Sequence, residues 1–177
     1  MKVKDKDFQL FIDHQHIAGR INELAAAINK DYEGKTPLFI AILNGSFIFA
    51  ADLIRAISVP SQISFVKVTS YDEMESTGNV KSLIGLNENI FNRDVIIIED
   101  IIDTGRTISK MVEEFNSLGT KSLEIVSLLV KNKERSQNTA IKYTGFEIPE
   151  EFVVGYGLDY DGYGRNLKDI YQYKPHS

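Results

Sequence analysis

Two short runs of uninterrupted apolar residues, Pro37-Leu38-Phe39-Ile40-Ala41-Ile42-Leu43 and Val95-Ile96-Ile97-Ile98, constrain this chain more than any other feature. Runs of this length, bounded by turn residues, are strands buried on both faces, and strands buried on both faces belong to parallel sheets covered by helices. The segments around them agree. Ile17, Ile21, Leu24, Ala25 and Ile28 recur at three- and four-residue steps and predict an amphipathic helix of roughly four turns. Asn44-Gly45-Ser46 breaks the first run, and helical spacing resumes in Phe47, Ala50, Leu53 and Ile54. Further strands are expected over 63–68, 81–86 and 123–130. A helix opening near Thr107 carries Ile108, Met111, Val112, Phe115 and Leu118 on its inner face, with Gly119 at its C′ position. Strands and helices alternating in this way predict an α/β fold, a doubly wound and mainly parallel sheet with helices on both faces. Ligands in such sheets lie beyond the carboxyl ends of the strands.

With 177 residues the chain fits a single domain over 1–177. After Lys131 the character turns polar and aromatic, and a small hood lobe over the sheet edge is expected from the N-terminal segment and residues 146–177. The polar stretch between the strands at 63–68 and 81–86 is too long for a tight hairpin, which makes it an excursion or a lid. A net charge of −5 argues against nucleic acid as a partner, because phosphate contacts need clustered Lys and Arg. No cysteine is present, so disulfides, thiolate zinc sites and cysteine nucleophiles are excluded, in keeping with a reducing cytoplasm. The charged start leads into no apolar leader, and no run of eighteen apolar residues occurs; a soluble cytoplasmic protein without a membrane partner is the expectation.

The chemistry concentrates in Glu99-Asp100-Ile101-Ile102-Asp103-Thr104-Gly105-Arg106-Thr107. Alone, Glu99 and Asp100 read as strand-end acids in water. Neighbouring side chains on a strand point to opposite faces, so both reach one ligand only where the chain twists as it enters a loop. The turn at 103–107 reverses that reading. Asp103 to Thr107 place hydroxyls, a glycine and a cation in the first turn of a helix, where unpaired backbone N–H groups and the helix dipole favour a phosphate monoester. Beside such a site two carboxylates suit a ribose diol or a magnesium ion. Capping of the helix by Asp103 is the plainer alternative.

These motifs resemble the type I phosphoribosyltransferases, whose signature is a hydrophobic strand, two acids and a loop ending Asp-Thr-Gly-x-Thr, and more narrowly their hypoxanthine(-guanine) branch. The similarity runs in family order through Leu43-Asn44-Gly45-Ser46, Ser70-Tyr71, Glu99 to Thr107, Leu128-Leu129-Val130-Lys131, Phe146-Glu147-Ile148-Pro149 and Phe152 to Tyr160. The resemblance implies the type I phosphoribosyltransferase fold and transfer of a 5-phosphoribosyl group from phosphoribosyl pyrophosphate to a 6-oxopurine base, with Mg2+ as cofactor. Glu99 and Asp100 would hold the ribose hydroxyls, partly through the metal, and Asp159 would reach a metal through water while its backbone faces the base. Asp103 would be the general acid/base at purine N7. Asp103, Thr104, Gly105, Arg106 and Thr107 would wrap the 5′-phosphate. Lys131 would donate to O6 of the base, Phe152 would stack on it, and Val153 would offer backbone contacts to its edge. Leu43, Asn44, Gly45 and Arg165 would bind pyrophosphate, the first three through a strained or cis peptide, although Asn44 departs from the family's commoner lysine. Ser70 and Tyr71 would open the mobile loop. A homodimer or homotetramer is implied as well.

Two rival readings accompany this one: a xanthine-preferring transferase, and a non-catalytic RNA-binding regulator on the same fold. The regulator calls for a basic face that an acidic chain does not advertise. Gly34-Lys35-Thr36 hints at a P-loop but lacks the earlier glycine, since Asn29 stands there, and precedes a strand instead of coming after one. His14, His16 and His176 lie far from the acidic cluster and are expected at the surface, without a zinc site or a catalytic triad.

Overall fold

Alternate residues of the central strands belong to two different cores, which explains why those strands are apolar throughout. The computed structural model describes residues 1–68, 83–131 and 140–175; Ser70, Tyr71 and His176 lie outside the described residues. In chain order the elements are β1 (Lys2–Val3), β2 (Lys6–Ile12), α1 (His14–Asp31), β3 (Leu38–Leu43), α2 (Phe47–Ala56), β4 (Gln62–Val68), β5 (Leu83–Ile84), β6 (Asp94–Ile102), α3 (Arg106–Ser117), β7 (Ser122–Lys131), β8 (Tyr143–Ile148), β9 (Val153–Val154) and β10 (Ile170–Tyr173). Phe39, Ala41, Ile96 and Ile98 pack with α1 and α2 on one face of the sheet. Leu38, Ile40, Ile42, Val95 and Ile97 pack with Ile108, Met111 and Phe115 of α3 on the other. Each of these side chains larger than alanine contributes roughly 1.5–3 kcal/mol of burial.

The large sheet has the order β5-β4-β3-β6-β7-β8. β4, β3, β6, β7 and β8 run parallel, and β5 is antiparallel on the β4 edge. The chain leaves β3 toward β4 on one side and later resumes at β6 on the other. That reversal opens a crevice between the carboxyl ends of β3 and β6, the place where ligands enter doubly wound sheets. The expected doubly wound architecture is therefore present.

Local signals account for the helices. Asp13 caps α1 by accepting from the backbone N–H of Gln15 at 2.9 Å and of His16 at 3.0 Å, and the helix runs 18 residues, a turn beyond the expected length. α3 ends where Gly119, at φ 78°, takes the left-handed conformation after Leu118. No helix among the described residues is long and apolar enough to cross a membrane.

A second sheet, β1-β2-β10-β9, is antiparallel and brings residues near both chain ends together. Phe146 to Ile148, expected in the hood, instead pair with β7 as the last strand of the large sheet. An edge strand is only half covered, so β8 lacks the continuous apolar run that marks β3 and β6. Its Tyr143 and Ile148 are buried while Glu147 is exposed.

Candidate active site

β6 extends four residues past its apolar run, so Glu99 and Asp100 sit within the ladder and not in a loop beyond it: Glu99 lies opposite Ser127, Ile101 opposite Leu129 and Ile102 opposite Val130. Both carboxyl groups are consequently withdrawn from water. Asp100 is 8% exposed, and Glu99 Oε2 is buried with no hydrogen-bond partner among the described residues. Burial pushes the Glu99 carboxyl well above the usual carboxylate range, and the adjacent Asp100 pushes it further. Burial raises Asp100 too, opposed by the backbone N–H of Ile101 and by the charge of Arg165. An orphaned carboxylate oxygen beside a second carboxylate is a donor set suited to a hard cation or to a pair of ribose hydroxyls.

The end of β3 closes on the same carboxylates. The Leu43–Asn44 peptide is cis, and Gly45 is pressed against Asp100 so closely that a Cβ at Gly45 would fall 1.6 Å from Asp100 Oδ2. Only glycine fits there. On the far side, a Cβ at Gly157 would fall 2.1 Å from the Gly45 carbonyl oxygen. Residues 43–45 are thus held between the acidic strand and the hood segment.

The turn from β6 into α3 forms the next wall. Gly105, at φ 74°, is the N-cap of α3 and offers no side chain to the first-turn N–H groups. Capping by Asp103 does not occur, because its carboxylate turns toward Lys131. The Arg106 N–H reaches Thr104 Oγ1 at a long 3.5 Å. A cavity of about 160 Å3 lies over this turn, lined by Ile42, Glu99 and residues 101–108. A helix that opens on a glycine beside a cavity has the chemistry to take an anion.

β7 delivers Lys131 beside that cavity. Its Nζ lies 3.4 Å from Asp103 Oδ2; the lysine side chain is 12% exposed and the aspartate 54%. Parallel pairing of β6 with β7 brings the two strand ends level, which unites residues 28 apart in sequence.

The remaining expected residues gather on the hood side. Val153 is buried in β9, whereas Phe152 is 42% exposed. Asp159 accepts the Gly162 N–H at 2.6 Å and pairs with Arg165 Nη2 at 2.7 Å. Arg165 Nη1 donates to the Gly157 carbonyl at 2.7 Å. Among the described residues no three acidic or imidazole groups converge as a metal-ligand set. Glu99 and Asp100 are neighbours in β6, while the Asp159 carboxylate is engaged by Arg165 and forms no three-residue group with them.

Several supports had no sequence signal. The Tyr156 hydroxyl donates to Asp52 of α2, and burial with this bond raises Tyr156 above its ordinary range. His14, expected as an isolated surface residue, holds Asp169 through both its backbone N–H and its Nδ1, each at 2.8 Å. His16 approaches the N-cap Asp13 at 2.6 Å.

A sequence model of the phosphoribosyl transferase domain matches residues 11–161, and a phosphoribosyl transferase is the class that this fold and site define. The hypoxanthine-guanine phosphoribosyltransferase of Staphylococcus aureus (strain Mu50 / ATCC 700699) is 44% identical over 168 residues, 94% of each chain. That of Bacillus subtilis (strain 168) is 40% identical over 168 residues, covering 94% of this chain and 93% of the relative. The crystal structure of a hypoxanthine-guanine phosphoribosyltransferase from Bacillus anthracis superposes with a TM-score of 0.86 at 37% identity, over 96% of this chain and 100% of that one. The chain belongs to the phosphoribosyl transferase family and, within it, to the hypoxanthine-guanine phosphoribosyltransferases, enzymes of purine salvage.

Proposed function

We propose that this enzyme transfers the 5-phosphoribosyl group from phosphoribosyl pyrophosphate to hypoxanthine and guanine, giving IMP or GMP and pyrophosphate, with Asp103 as the general acid/base at purine N7. The observation that carries the reading is the meeting of Lys131 and Asp103 at 3.4 Å on the rim of the anion cavity. A 6-oxopurine in its N7-protonated form presents an acceptor and an N–H donor on adjacent positions of one edge. The Lys131–Asp103 pair offers their complement: an ammonium for O6 and a carboxylate for N7–H. The relatives named above as hypoxanthine-guanine phosphoribosyltransferases support the same choice of base.

The chain's own residues then divide the work. The 5′-phosphate docks on the N–H groups and hydroxyls of Thr104 to Thr107, which fixes the ribose beneath the acidic strand. As the bond from the anomeric carbon to pyrophosphate breaks, positive charge develops on the ribosyl ring. Glu99 and Asp100, already held in place without reorganisation, stabilise it. N9 of the base forms the new bond while Asp103 accepts the N7 proton. Asn44 and Gly45 offer backbone N–H groups to the departing pyrophosphate, and Arg165 adds a cation on the hood side. Glu99 and Asp100 fit a hard cation, and a bound Mg2+ would neutralise charge on the diphosphate. Phe152 stacks on the base and Val153 lines its edge.

The xanthine-preferring alternative keeps the same O6 and N7 contacts, and an assay across bases separates it. With phosphoribosyl pyrophosphate and Mg2+, hypoxanthine and guanine should yield nucleotide and pyrophosphate, adenine should not, and Asp103→Asn should lose most of the rate. Absence of turnover with hypoxanthine, guanine and xanthine, together with tight RNA binding, would replace the enzyme reading by the regulator.

A further inference from the structure

A stacking ring works only if it is held at one angle before the base arrives, because a ring that must be ordered on binding gives back part of the stacking energy as lost freedom. Phe152 is poorly placed for this on its own. It precedes β9 and is 42% exposed. What surrounds it is an aromatic cluster contributed by segments distant in sequence. Tyr160 meets it edge-on, with centroids 5.8 Å apart and planes at 84°, and Phe8 meets it at 6.3 Å and 46°. Phe8 also touches Tyr160 at 6.4 Å and Tyr173 at 6.0 Å. Into this cluster β2 inserts Lys6, whose Nζ lies 4.5 Å from the Tyr160 centroid, 5.3 Å from that of Tyr173 and 5.6 Å from that of Phe152. All three rings are within cation–π range of one ammonium group.

We propose that Lys6 is a positioning residue for purine binding: its ammonium, shared among Phe152, Tyr160 and Tyr173, holds the Phe152 ring in the orientation that receives the base. The inference rests on the reading of Phe152 as the stacking residue. The geometry favours this role over that of a structural hydrophobe on three grounds. Edge-on and tilted contacts leave a ring free to pivot, whereas a cation over its face resists pivoting. The same ammonium ties Phe152 to Tyr173, and the Tyr173 N–H already donates to the Phe152 carbonyl at 2.8 Å, so ring and backbone are held by one neighbour. Lys6 is also on β2, which pairs with β10 and not with β9, so its hold on Phe152 comes through the side chain alone.

The test is a two-residue cycle with steady-state kinetics in both substrates. Lys6→Met keeps an unbranched side chain of similar length and removes the charge. It should raise KM for hypoxanthine roughly three- to tenfold, as the loss of a partly desolvated cation–π contact implies, with KM for phosphoribosyl pyrophosphate and the melting temperature held. Lys6→Arg, which retains a cation for the rings, should restore the purine KM. In a Phe152→Leu background, Lys6→Met should add nothing further to the purine KM. If Phe152→Leu raises the purine KM but Lys6→Met does not, or if Lys6→Arg behaves like Lys6→Met, the positioning role is wrong while the stacking reading stands. If Phe152→Leu leaves the purine KM unchanged, the stacking reading itself falls. A parallel rise in both KM values with a lowered melting temperature would assign Lys6 to hood stability instead.

Discussion

Lys131 Nζ stands 3.4 Å from Asp103 Oδ2, on the shielded side of a pair whose aspartate faces solvent. Each group is the other's partner, so a nearly buried cation is kept neutralised; in the proposed complex the base takes both. Lys131→Gln should cut kcat/KM for hypoxanthine and guanine by about 10- to 100-fold, the range for losing a hydrogen bond to a charged donor. Discrimination against adenine should narrow in the same variant, since glutamine can accept as well as donate. Unchanged discrimination between hypoxanthine and adenine would separate Lys131 from base choice.

Gly45 is the second point of vulnerability. Its missing Cβ is the space that Asp100 Oδ2 occupies, so Gly45→Ala must displace either the carboxylate or the 43–45 segment. Overpacking of this kind costs about 1–3 kcal/mol. The variant should melt lower, and its KM for phosphoribosyl pyrophosphate should rise with little change for the base. Calorimetry and two-substrate kinetics check the two halves separately.

Glu99 carries a buried oxygen without a partner among the described residues, an arrangement that costs the protein stability and that the proposed role in substrate binding would account for. Glu99→Gln removes the ionisable carboxyl at nearly constant volume. The ligand-free variant should melt above the wild type at neutral pH, while its affinity for phosphoribosyl pyrophosphate with Mg2+ falls. Thermal scans with and without substrate read both effects, and a variant that loses stability in both conditions would contradict the assignment.

Asp94 gives a pH dependence remote from the chemistry. It accepts from Ser122 Oγ at 2.6 Å and pairs with Lys121 Nζ at 3.1 Å, and these partners, the serine first, hold its carboxyl below the usual value of 3.8. A carboxyl whose pKa is depressed by folding adds stability that is present above its unfolded pKa and is lost as pH falls through the folded one. Below about pH 4 the wild type should therefore lose stability more steeply than Asp94→Asn. At neutral pH the variant should be the less stable of the two. Urea midpoints measured across the acid range give the comparison.

The parts legible in sequence are those whose determinants are local. β3 and β6 announce themselves as apolar runs, α1 and α3 as stripes, and the turn at 103–107 as a cluster of small and hydroxylic residues opening a helix. The continuation of β6 through Glu99 and Asp100 was not legible, because a carboxylate pair ordinarily ends a strand and only the registry with Ser127 and Leu129 shows otherwise. β8 was hidden by being an edge. Hydrogen bonds such as Tyr156 to Asp52 join residues 104 apart, and the aromatic ring cluster around Lys6 assembles from three separate segments; no window of sequence contains them. The resemblance to a known family reached some of these positions, including Phe152 and Arg165, but said nothing of what holds them.

The placement of β2 between β1 and β10 sets an order on biosynthesis. A chain emerging from the ribosome makes β2 early and β10 late, so Phe8 and Lys6 wait without their platform while the large sheet, from β3 through β8, can already close around the turn at 103–107. Glu99, Asp103 and Lys131, all on or beside the large sheet, are in place before the ring cluster around Lys6 can form. The ring cluster is thus the part of the molecule that waits for β10.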